Sequence, residues 1–136
     1  MRLCLLLLAS LSFVAIAAAD EKKDGPAVKE IALPAMKGFP TTKFDQPAEI
    51  ATTEALAKAF PDADVRTAIE KEVDFAKQKL LYFAWSGSGQ DKLTPGAGDK
   101  GAITFTYKRG LTRDLRGHRR LFAIAKGATW SVERAK

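Results

Sequence analysis

Sulfur and imidazole are nearly missing from this chain. The single cysteine, Cys4, falls in the opening apolar run, so a disulfide framework and a thiolate metal site are both excluded further along. The single histidine, His118, leaves a classical zinc site short of ligands. There is no phosphate-binding P-loop, no dinucleotide fingerprint, no G-x-S-x-G elbow, no internal repeat and no low-complexity tract. No cofactor, no metal and no catalytic residue is therefore expected. The longest apolar run, Leu3 to Ala17, is too short for a stable membrane span.

What that run does resemble in layout is a secretory signal peptide. Met1-Arg2 precedes it, and Ala17-Ala18-Ala19 leads into the charged stretch Asp20 to Asp24. Residues 1–19 are expected to be removed, leaving a mature N-terminus at Asp20 and an exported protein, periplasmic or secreted, with no membrane span. Cys4 lacks the small-residue lead-in of a lipid-attachment site. The remaining 117 residues suit one domain with a core held by packing alone.

Charge is uneven. From Gly101 to Lys136 nine Lys or Arg stand against two acids, Asp114 and Glu133, whereas the mature region before it is slightly acidic. A localised basic face attracts polyanions without choosing among them. Export makes nucleic acid an unexpected partner.

Residues 20–47 carry four of the six prolines and read as an extended Pro/Lys-rich lead-in, with Ile31, Leu33, Met36, Phe39 and Phe44 holding its later part to the domain. Residues 48–136 read as a single α+β domain. A first short helix spans Thr53 to Phe60 and stops at Pro61; a second follows Asp62, with Val65, Ile69 and Val73 along one face. Leu80 to Trp85 is continuously apolar, the pattern of a central strand covered on both faces. Ile103, Phe105 and Tyr107 alternate with polar residues over a half-buried strand. Arg120 to Lys126 and Thr129 to Glu133 follow, with a hairpin expected at Lys126-Gly127-Ala128. The fold class expected is α+β, two short helices packed on an antiparallel sheet of about four strands.

Two long connections, Ser86 to Lys100 and Arg109 to Arg119, hold the candidate site. In the first, Ser88, Gly89 and Asp91 sit in a glycine-rich turn whose amides suit an anion-holding nest. In the second, Arg113, Arg116 and His118 include guanidinium forks suited to carboxylate, sulfate or phosphate. The competing reading ties Arg113 and Arg116 to Asp91, Asp99 or Asp114 in an ion-pair network between the loops. Ser86 or Ser88, His118, and Asp91 or Asp114 also supply the residue types of a hydrolytic triad, which requires contacts that residue types alone do not establish. Tyr82, Trp85, Phe105, Tyr107 and Trp130 read either as a stacking platform or, preferably in so small a domain, as core.

The strings Trp85-Ser86-Gly87-Ser88-Gly89-Gln90-Asp91-Lys92-Leu93 and Gly110-Leu111-Thr112-Arg113-Asp114-Leu115-Arg116-Gly117-His118, with Asp74-Phe75, Lys79-Leu80-Leu81 and Trp130, resemble a group of small exported bacterial proteins of unknown function over about Thr52 to Val132. That resemblance implies no activity. More remotely, the helices, the step Asp74-Phe75-Ala76-Lys77 and the strands after it are similar to the domain of a regulatory subunit that stabilises a cell-surface protease. Ser86 to Gln90 stands where that domain carries a Gly-Gly-Tyr turn. Three functions are thus expected in descending order: a non-enzymatic binding or interaction module with a basic loop surface for an anionic group, a partner or regulator of an exported protease, and a Ser/His hydrolase.

Overall fold

The computed structural model describes residues 27–35 and 40–136. The expected signal peptide, and Met36 and Phe39 of the lead-in, lie outside the described residues. The elements run β1 (Lys29–Ile31), β2 (Ala48–Ile50), α1 (Thr53–Ala59), α2 (Ala63–Glu70), β3 (Gln78–Ser88), β4 (Lys92–Ala97), β5 (Ile103–Lys108), β6 (Leu115–Ala125) and β7 (Trp130–Arg134). The fold is α+β. Two short helices lie on a four-stranded sheet of order β1-β6-β3-β2, antiparallel throughout, and a second sheet of order β4-β5-β7 covers the other side.

Each helix begins at a side-chain cap. The Thr52 hydroxyl accepts from the Ala55 amide at 3.1 Å, and Asp62 Oδ1 accepts from the Asp64 and Val65 amides at 2.9 and 3.3 Å. Pro61 separates the two helices, and Arg66 of α2 donates to the Phe60 and Pro61 carbonyls left open at the end of α1. Val65 and Ile69 of α2 are buried, as the spacing predicts, and so is Leu56 of α1; Val73 is buried as well but lies past the end of α2 rather than on it.

Strand β3 has two buried faces because it lies between two cores. Leu80, Tyr82 and Ala84 join the helices, Ile31, Ile50 and Leu121 in one; Leu81, Phe83 and Trp85 join Leu93, Ile103, Phe105, Phe122 and Ile124 in the other. In the second core the rings of Phe83, Phe105 and Phe122 pack mutually, with centroids 5.0–5.9 Å apart in edge and tilted arrangements.

Several local expectations are revised, among them the Arg109–Arg119 connection, whose last five residues belong to β6. The lead-in supplies β1, which pairs with β6 over Leu121–Ala123 and buries Ile31, while Leu33 and Phe44 pack at the margins of the cores. Most of the Ser86–Lys100 connection is strand: β3 continues to Ser88, and β4 follows the turn at Gly89–Asp91, its Pro95 tolerated because β4 is an edge strand. The Lys126–Ala128 turn does not close a hairpin. There β6 ends on the first sheet, and the chain crosses so that β7 lies parallel to β5, which puts Trp130 and Val132 against the second core. Covering those two side chains outweighs local hairpin pairing.

Because Phe105 is fully buried between two other rings, Phe105→Ala is expected to cost about 3–5 kcal/mol. Urea unfolding followed by circular dichroism reads it; a loss below about 1 kcal/mol would contradict the packing described.

Candidate functional site

Past the point where β1 and β2 stop, β3 and β6 continue together as a two-stranded ribbon. Its register sets Trp85 opposite His118, Gly87 opposite Arg116 and Ser88 opposite Leu115. The two stretches that carry the candidate residues therefore meet at the ribbon's end.

At that junction Asp91 is buried, with 8% of its surface exposed. A buried carboxylate needs donors on both oxygens. Oδ2 accepts from the Trp85 indole at 3.1 Å and the Tyr107 hydroxyl at 2.8 Å, and Oδ1 accepts from the Gly110 amide at 2.7 Å. The carboxylate thus joins β3, β5 and the loop that leads to β6. Burial opposes its charge, but the Gly110, Tyr107 and Trp85 hydrogen bonds, with His118 nearby, hold the carboxyl below its ordinary range. Burial, and then the same carboxylate, push the Tyr107 hydroxyl up. Two glycines make room for this contact. A Cβ on Gly87 would run into the Asp91 carboxylate, and one on Gly110 would lie 2.6 Å from the Gln90 backbone carbon.

The remaining candidates bond to their neighbours. His118 stacks on Trp85 with ring centroids 4.9 Å apart, and its Nε2 lies 2.7 Å from the Ser88 carbonyl. A carbonyl only accepts, so Nε2 carries the proton. The Ser88 hydroxyl lies 2.5 Å from that of Thr112, so the nucleophile-to-base contact of a triad is not formed between Ser88 and His118. The turn's amides are also engaged. Gln90 donates to the Ser88 hydroxyl, Asp91 to the Ser88 carbonyl at 2.9 Å, and Gly89 to Asp114 Oδ1 at 3.2 Å. Arg116 donates to Asp114 Oδ2 at 2.7 Å, an ion pair at the surface. The Thr112 hydroxyl, the Gly89 amide and Arg116 hold the Asp114 carboxyl below its ordinary range.

Arg113 differs from the other candidates. It is exposed, and among the described residues no hydrogen bond or ion pair is assigned to its guanidinium. It lines an open groove of about 1010 Å³ bounded by residues 42–45, the end of β3, residues 109–115 and Arg134. Lys43, Arg109 and Arg134 stand on the same groove. Phe44 stacks on Tyr107 at 4.0 Å and carries the Arg134 guanidinium 5.1 Å above its ring. Lys43 and Arg134 are far away in the chain from the arginine-rich segment, and no spacing in the sequence marks them as its neighbours. Tyr82, Trp85, Phe105 and Tyr107 are core residues, and Trp130 is half-buried with its indole donating to Glu49.

No family model, curated protein or solved structure matches the chain. Its chemistry is read from its own residues. Among the described residues no group of three or more His, Cys, Asp or Glu is placed to hold a metal ion, and no helix is long and apolar enough to cross a membrane.

Asp91→Asn keeps one acceptor oxygen and turns the other into an NH2 that must face at least one donor, and is expected to destabilise the fold by about 2–4 kcal/mol at neutral pH. The folded carboxyl titrates below the unfolded one, so its contribution is full above the unfolded value of about 3.9 and is lost as pH falls through the folded value. Urea midpoints of wild type and Asp91→Asn should converge only in that acid range; a gap independent of pH down to full protonation would refute the assignment. Arg116→Ala, by contrast, removes one arm of an exposed pair and should move the melting temperature by less than about 4 °C.

Proposed function

We propose that this protein is a non-enzymatic binding module whose basic groove takes an anionic group. The observation that carries the reading is Arg113, an exposed guanidinium with no assigned partner among the described residues, on a groove shared with Lys43, Arg109 and Arg134. Guanidinium groups pair with carboxylate, sulfate or phosphate through two parallel hydrogen bonds, and several cations along one concave wall raise the local concentration of such ligands. Asp45, Asp91 and Asp114 also line the groove but are outnumbered, and Asp91 is buried with both carboxylate oxygens bonded. The contacts of Ser88, Asp91 and His118 support a structural role for these three, which leaves the binding to the arginines. On the same proposal the module works after export, which the layout of residues 1–19 supports.

Calorimetric titration with inorganic polyphosphate at low salt checks this reading. Binding should weaken as salt rises and fall by about tenfold or more in the double variant Arg109→Ala, Arg113→Ala, whose side chains are exposed. Affinity that is indifferent to salt and to both arginines would dispose of the groove as an anion site.

A further inference from the structure

The outer edge of β3 is covered one rung at a time. Ala48 of β2 pairs with Tyr82. Two residues on, the Ala84 carbonyl accepts from the Thr42 amide at 2.7 Å, and the Ala84 amide donates to the Thr42 hydroxyl at 2.8 Å. Both backbone groups of Ala84 therefore point away from β6. Strand geometry repeats every two residues, and the β3–β6 register is unbroken from Gln78 to Ser88, so the N–H and C=O of Ser86 point the same way. Ser86 is exposed and lines the groove, and among the described residues neither group is assigned a hydrogen bond on that side. The next rung of the sheet edge is open, and it opens into the basic groove.

The groove walls add two features that a small anion would not use. Leu111 and Leu115 are 94% and 81% exposed, and they are the large apolar side chains left in solvent among the described residues. Both border the groove, on either side of Arg113. A volume of about 1010 Å³ is also at the upper end of the range for whole drug-sized ligands, several times what one oxyanion fills. An open backbone rung, exposed leucines and a surplus of cations together match one class of partner.

We propose that the groove binds an extended polypeptide segment bearing acidic and bulky apolar side chains, which adds to the edge of β3 at Ser86. Its backbone exchanges hydrogen bonds with the Ser86 N–H and C=O. Its acidic side chains meet Arg109, Arg113 and Arg134, and an apolar one covers Leu111 or Leu115. Backbone pairing supplies affinity and the alternating side chains supply selectivity, as in strand addition generally. The inference rests on the anion-binding reading and specifies its ligand.

The experiment uses a short fluorescent peptide alternating glutamate with valine, measured by anisotropy against the mature protein, with inorganic polyphosphate titrated in parallel. Two further peptides carry N-methyl groups on one or the other alternate set of backbone nitrogens. The expected result is salt-sensitive binding of the parent peptide that one methylated set weakens by about tenfold or more, while the other set leaves it unchanged. Leu111→Ser, at an exposed position, should weaken the peptide and leave polyphosphate binding as it was. Equal binding of both methylated peptides overturns strand addition. Binding of polyphosphate without the peptide overturns this inference and leaves the anion site standing; binding of neither overturns both.

Discussion

Burial of β3 on both faces is the constraint around which the molecule is arranged. One strand with no wet face requires a layer on each side, and the helices and the second sheet are those layers. The requirement relaxes toward the C-terminal end of β3, where Ser86 is exposed and Gly87 half-buried. The basic groove forms where the double cover ends.

At that margin a single carboxylate takes over from hydrophobic packing. Trp85, Tyr107 and the Gly110 amide converge on Asp91, and two glycines allow the chain to come that close. A largely buried charge with three donors is costly to disturb, because loss of any donor leaves a carboxylate oxygen short of partners. The consequence is an end of the β3–β6 ribbon that is cross-linked to β5 and to the loop before β6.

The electrostatics follow the same division. Acidic side chains near the ribbon are engaged: Asp91 inside, Asp114 with Gly89 and Arg116, Glu30 with Arg120. Of the nine cations of the C-terminal third, Arg109, Arg113 and Arg134 line the groove, where Lys43 joins them. Surface pairs such as Arg116 with Asp114 add little stability, and their effect is to set which guanidinium groups stay available.

Much of the fold was legible in the residues themselves. Two helices flanking Pro61, a two-faced strand at Leu80–Trp85 and a half-buried strand at Ile103–Tyr107 follow from capping, composition and period, all of them local properties. The glycine turn and the arginine-rich segment were also legible as two stretches that belong together, since each carries small or charged residues at the end of a strand. What tertiary structure alone decided is pairing over distance. Whether β7 folds back on β6 or crosses to β5 depends on which core needs Trp130 and Val132, and the two arrangements look alike in local sequence. The site was divided in the same way: Asp91 and His118 read as ligand-facing until Trp85, Tyr107 and Ser88 are seen around them, and Arg134 enters the groove only because β7 runs beside β5. Spacing along a chain determines what one segment can form, whereas contact between segments depends on the competition of all of them for the same buried space.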